Sequence, residues 1–209
     1  MILNHDEVSS GQEDKLDLKN LEGVIQFKIV YWGPGESGKT TSFMRLREKF
    51  HAVCLTEGYS VETTDGRTLW QDSLFLEFTL KTFGIIAQIV TCTGQERFLA
   101  TREYVLDGAD GIVFVGDSDP EKLEQNKRSF RELISFARPK NVPYVVQLNK
   151  RDLNNAIPLE KFKKALGLPP EEYYDGSLVV YPTTATNGDN IRECFQDILL
   201  QVFIKYFSS

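Results

Sequence analysis

The eight residues Gly33-Pro34-Gly35-Glu36-Ser37-Gly38-Lys39-Thr40 constrain the fold of this chain more than any other stretch. They match the pattern G-x-x-x-x-G-K-[ST], follow an apolar run from Ile25 to Trp32, and precede a segment with helical patterning. A strand, a glycine-rich turn and a helix in that order make the first half of a βαβ unit. The same pattern commits the turn to an anion, because backbone N–H groups converge at the helix N-terminus and glycines let the main chain come close. Lys39 supplies a cation for β- and γ-phosphates, the Thr40 hydroxyl supplies a ligand for Mg²⁺, and Thr41 continues the phosphate-binding stretch.

The rest of the chain repeats the alternation. Further strands are expected over Ser73 to Leu80, Ile85 to Thr91, Gly111 to Gly116, Pro143 to Leu148 and Leu178 to Tyr181, six in all with the first. Only Lys81-Thr82-Phe83-Gly84 separates the second strand from the third, too short for a parallel crossover, so those two are expected as an antiparallel edge hairpin. Helices are expected from about Gly38, after Asp119 as N-cap with Pro120 at the first helical position, after Pro158, and from about Asp189. In the last of these Ile191, Phe195, Ile198, Leu199 and Val202 fall on one face, the spacing of a helix docked on a sheet.

A chain of 209 residues fits one such domain, read as residues 25–209, behind an acidic extension of residues 1–24 that lacks sustained periodicity and is expected to be flexible. That extension holds six acids and two lysines, a net charge of −4 out of −6 for the whole chain. The acidic balance argues against a nucleic-acid partner. Cys54, Cys92 and Cys194 show no metal-ligand spacing and are expected as small core residues in a reducing, cytoplasmic compartment. No apolar run reaches the length of a membrane span. Ile2 in place of glycine and the ending Ser208-Ser209 give no acylation or prenylation signal, so no direct membrane anchor is expected.

The phosphate turn does not distinguish adenine from guanine, but Asn149-Lys150-Arg151-Asp152 does. The tetrapeptide follows a strand directly and therefore lies at the carboxyl edge of the sheet, with the phosphates. A carboxylate at Asp152 accepts two hydrogen bonds from guanine N1–H and the exocyclic amine, donors that adenine lacks. Thr184-Ala185-Thr186, after the sixth strand, is placed to offer the base a backbone N–H. Thr91-Cys92-Thr93-Gly94-Gln95-Glu96 ends the third strand, where the Gly94 N–H meets a γ-phosphate and Gln95 orients an attacking water.

With these motifs in place, the stretches Phe27 to Thr41, Asp65 to Leu69, Asp107 to Ser118 and Val142 to Leu153 resemble the MglA group of Ras-like small GTPases over roughly residues 25–205. The resemblance implies a Ras-like doubly wound α/β fold: a six-stranded, mostly parallel sheet with one antiparallel edge hairpin and about five flanking helices. It implies a GTPase that binds GTP and GDP with Mg²⁺, with switch segments near residues 52–72 and 92–106. It places an internal catalytic arginine at Arg67, to act with Gln95, and a γ-phosphate and Mg²⁺ threonine at Thr68, with Thr63 and Thr64 as rivals. Thr91, where many GTPases have aspartate, fits that group, whereas Thr93 replaces a proline found there. A Roadblock-fold partner that stimulates hydrolysis is also implied, while effectors stay open. The alternative is a nucleotide-loaded binding module with little turnover. Glu36 beside a triphosphate calls for a cation, and Arg67 is the expected partner.

Overall fold

The computed structural model describes residues 23–56, 73–79, 83–92, 105–169 and 180–208. In chain order the elements are β1 (Gly23–Trp32), α1 (Lys39–Lys49), β2 (Cys54–Thr56), β3 (Ser73–Thr79), β4 (Phe83–Thr91), β5 (Gly111–Asp117), α2 (Leu123–Ala137), β6 (Tyr144–Asn149), α3 (Leu159–Leu166), β7 (Val180–Pro182) and α4 (Ile191–Ser208). The strands form one sheet ordered β2-β3-β4-β1-β5-β6-β7. β1 runs parallel to β4 and β5, and β6 and β7 extend the parallel part. β3 is antiparallel to β4, as expected from their short connection, and β2 is antiparallel to β3.

The expected doubly wound arrangement is therefore present, and the structure adds Cys54–Thr56 as a seventh strand at the edge. Three residues are too few for apolar alternation to announce a strand. Four α-helices are present among the described residues, joined by 3₁₀ turns at His51–Val53 and Pro120–Lys122. Asp119 caps the second turn, its carboxylate accepting the Glu121 N–H at 2.9 Å, with Pro120 at the first helical position.

Alternation along β1 divides the core in two. Ile29 and Tyr31 face α1 and α4, where they meet Phe43, Leu46, Phe195 and Ile198. Val30 and Trp32 face α2 and α3, where they join Phe114, Phe130, Leu133 and Phe162. All seven positions of β5 are buried, which is why its first six residues read as a continuous apolar run. On α4 the expected face is confirmed, with Ile191, Phe195, Ile198 and Val202 buried and Leu199 packed against the cluster. Cys92 and Cys194 are buried and Cys54 is half-buried. Burial pushes the Cys194 thiol and the Tyr31 hydroxyl well above their usual pKa ranges, so both stay protonated.

The two ends of the sheet differ. At the amino end of the parallel strands, Phe83 stacks on Phe203 with centroids 6.3 Å apart and lies 6.2 Å from Phe207, while Tyr206 meets Phe27 edge-on at 5.5 Å. At the carboxyl end, β1 runs into Gly33, β5 ends at Asp117 and β6 ends at Asn149.

Candidate functional site

The turn after β1 closes on itself through Lys39. Its ammonium, buried, donates to Gly33 O at 3.1 Å and Pro34 O at 2.6 Å, so the lysine spans the loop from the first turn of α1. Space is tight around both framing glycines. A Cβ on Gly33 would lie 2.2 Å from Val115 O, and one on Gly38 would lie 2.2 Å from Asn149 Nδ2. Gly38 also has φ 94°, a left-handed conformation, and acts as the N-cap of α1. At these two positions the turn has room for main chain and none for a side chain, which is the geometry an anion cradle needs. Ser37 is buried within it, while Glu36, at φ 66°, and Thr41 reach its exposed rim.

Asn149, the last residue of β6, ties that turn to two other segments. Its Nδ2 donates to Ser37 O at 2.9 Å, and its Oδ1 accepts from the Ala185 N–H at 2.9 Å and from Thr183 Oγ1 at 3.3 Å. One buried side chain therefore joins three of the segments singled out from the sequence. The Ala185 N–H is donated within the protein, so a base that used it would compete with Asn149.

Lys150 adopts φ 65° and sets its ammonium 2.7 Å from the Asp117 carboxylate, which is buried at the end of β5. Asp117 is held in turn by Asn126, whose amide exchanges two hydrogen bonds with its backbone at 2.9 and 2.8 Å. Arg151 turns the other way and donates to Ile157 O at 2.7 Å and Ser118 Oγ at 3.2 Å. Asp152 is left exposed at the mouth of a cleft of about 190 Å³. Glu36, Gly38 and Thr41 line one side of it; Asn149, Lys150, Ala185 and Thr186 line the other.

Arg67, Thr68, Gly94 and Gln95, and the rivals Thr63 and Thr64, lie outside the described residues. Of the first switch segment, residues 52–56 are described, and they enter β2. Thr91 is buried at the end of β4, opposite Tyr31 of β1. Glu36, expected opposite Arg67, has its carboxylate 3.4 Å from Lys122 Nζ, in the 3₁₀ turn before α2.

Known sequences place this strand, cradle and helix in a family. The profile of the ADP-ribosylation factor family (Arf) matches residues 15–202. The chain belongs to the Arf family of small GTPases. Among its relatives, mutual gliding-motility protein MglA of Myxococcus xanthus (strain DK1622) is 40% identical over 148 residues, covering 68% of this chain and 76% of that one. Human ADP-ribosylation factor-like protein 4A is 29% identical over 178 residues, with 84% and 83% covered. Human ADP-ribosylation factor-like protein 4C is 28% identical over 192 residues, with 89% and 91% covered.

Three residues of this Arf-family site were not singled out from the sequence. Arg45, on α1, donates from Nε to Ala185 O at 3.3 Å and from a terminal nitrogen to Thr186 O, clasping the loop after β7. Lys122 reaches Glu36, and Asp117 anchors Lys150. Asp117 alone carries a legible signal: an acid that ends an otherwise apolar strand falls at the ligand-binding edge of such a sheet. Arg45 and Lys122 look like ordinary charges of helical surfaces.

Proposed function

We propose that this chain is a GTP-dependent molecular switch: it binds GTP and GDP in the cleft, hydrolyses GTP to GDP and phosphate, and alternates between two loop conformations. The observation that carries this reading is Asn149, which holds the phosphate turn and the base motif as one surface. In this reading Gly33, Gly35, Glu36, Ser37, Gly38, Lys39, Thr40 and Thr41 cradle the phosphates, with Lys39 as the cation. Asp152 selects guanine, flanked by Asn149 and Lys150, and Thr184, Ala185 and Thr186 close over the base. Arg67 and Gln95 serve hydrolysis, Thr68 and Gly94 sense the γ-phosphate, and a partner such as a Roadblock-fold protein stimulates turnover.

The tight cradle suits a phosphate chain carrying Mg²⁺. Thr40 at the start of α1, with Thr68, would hold the metal. When bound, the metal neutralises charge on the phosphate oxygens. Residues 25–209 act as the G domain and residues 1–24 as an acidic extension. No helix of the described residues is long and apolar enough to cross a membrane.

Two measurements test the reading. In competition binding, GDP should displace a labelled guanine nucleotide while ATP does not, and Asp152→Asn should weaken GDP about 100-fold, since a guanine N–H loses its acceptor. Equal competition by ATP overturns the base assignment. In single-turnover hydrolysis, Gln95→Leu should slow the rate at least about tenfold with GTP affinity retained. An unchanged rate, or no stimulation by any Roadblock-fold partner, favours the binding module.

A further inference from the structure

Strand β6 presents two polar side chains to the same side of the sheet, Gln147 and Asn149, because residues two apart in a strand share a face. Asn149 belongs to the site already described. Gln147 stands among Val145, Val146 and Leu148, all buried, and is itself fully buried. A primary amide in that setting is costly unless it is hydrogen-bonded, and an apolar residue would fill the place more simply.

Its hydrogen bonding shows what it holds. Gln147 Nε2 donates to Ser42 Oγ at 2.7 Å, and Ser42 Oγ, likewise buried on α1, donates to Gly38 O at 3.0 Å. Gln147 Oε1 has no hydrogen-bond partner among the described residues, so the amide is bound at its donor end. One rung further along β6, Asn149 Nδ2 donates to Ser37 O at 2.9 Å. Of two consecutive carbonyls of the turn, Ser37 O is thus held directly by Asn149, while Gly38 O accepts both the Ser42 N–H at 2.9 Å and the Ser42 hydroxyl that Gln147 holds from the next same-face position of the strand.

The peptide unit converts this into an effect on the ligand side. In a trans peptide the C=O and N–H point in opposite directions within a rigid plane. Ser37 O shares its plane with the Gly38 N–H, and Gly38 O shares its plane with the Lys39 N–H. Holding Ser37 O toward Asn149 and Gly38 O toward Ser42 of α1 leaves each N–H on the opposite side of its plane, out of the helix N-terminus where an anion binds.

We propose that Gln147, acting through Ser42, is a positioning residue for the phosphate-binding turn: it orients the Lys39 N–H as Asn149 orients the Gly38 N–H. The inference rests on the nucleotide reading above and extends the site inward to a core residue that never touches the ligand.

The test uses the full-length chain and four variants: Gln147→Leu, Ser42→Ala, their double, and Ser42→Thr, which keeps the hydroxyl. GDP dissociation rate, the ratio of GDP to GMP affinity, and melting temperature are measured for each. Gln147→Leu and Ser42→Ala should each speed GDP release about five- to tenfold, the loss of one buried hydrogen bond. Because they cut one chain of contacts, the double should be no faster than the larger single. Ser42→Thr should stay within about twofold of wild type, since the hydroxyl is kept. GDP should lose more affinity than GMP, which offers the turn one phosphate instead of two. A purely structural role would lower the melting temperature and leave the release rate and the GDP to GMP ratio unchanged, and that result overturns the proposal. Additive single effects overturn it as well. Wild-type protein that binds no guanine nucleotide removes the functional reading and this inference together, whereas wild-type binding with unaffected variants removes this inference alone.

Discussion

The two ends of the sheet are built from the same strands and held by opposite means. At the amino end, Phe83, Phe203, Phe207, Tyr206 and Phe27 fill space by aromatic contact. At the carboxyl end, Asn149, Lys150, Arg151 and Arg45 hold main-chain carbonyls and a buried carboxylate by directional bonds, around glycines that leave no room for a Cβ. Area burial is tolerant of small shifts, because dispersion and the hydrophobic effect depend little on angle. Hydrogen bonds weaken steeply with misalignment, so the polar end fixes atom positions. One end supplies stability and the other supplies geometry.

This division can be broken most severely at Gly38. Replacement by alanine puts a Cβ 2.2 Å from Asn149 Nδ2 at φ 94°, so the turn must open. GDP affinity should fall about a thousandfold, roughly 4 kcal/mol, with the far-ultraviolet circular dichroism unchanged. Titration showing less than a tenfold loss would mean that the turn yields and the comparison is overdrawn.

Phe83→Ala attacks the other end. Removing a buried ring from the aromatic group should cost about 3 kcal/mol and lower the melting temperature by roughly 6–12 °C, while the GDP dissociation rate at 20 °C stays at the wild-type value. A faster release at that temperature would show that the two ends are not separable.

The smallest effect belongs to Lys122, whose partly exposed pair with Glu36 bridges the 3₁₀ turn and the cleft rim. Lys122→Ala should speed nucleotide release about two- to threefold at low ionic strength, and the difference should vanish in about 1 M salt. A salt-independent change would mean that the lysine acts by packing.

Much of this was legible beforehand because its causes are local. Six strands, the short β3–β4 connection, the Asp119 cap with Pro120, and the apolar face of α4 each follow from neighbouring residues and a period of two or 3.6. The glycine turn was legible for the same reason: Gly33 and Gly38 are five positions apart, and their spacing is itself the constraint. β2 has no such local signal, because three residues carry no period and its partner β3 starts only at Ser73.

By itself, the sequence determined which chemistry is present: a glycine-framed anion turn with Lys39 and Thr40, an Asn149-Lys150-Arg151-Asp152 motif after a buried strand, and an α/β alternation that brings both to one sheet edge. The tertiary structure alone decided how those parts are joined. Asn149 meets Ser37 across 112 positions, Arg45 meets Ala185 across 140, Gln147 meets Ser42 across 105, and Lys122 meets Glu36 across 86. A contact of that kind leaves no mark in the flanking residues, because the partner arrives by strand order and not by chain proximity. Strand order is set by which apolar faces must be buried together, a property of the whole sheet that no window of sequence contains.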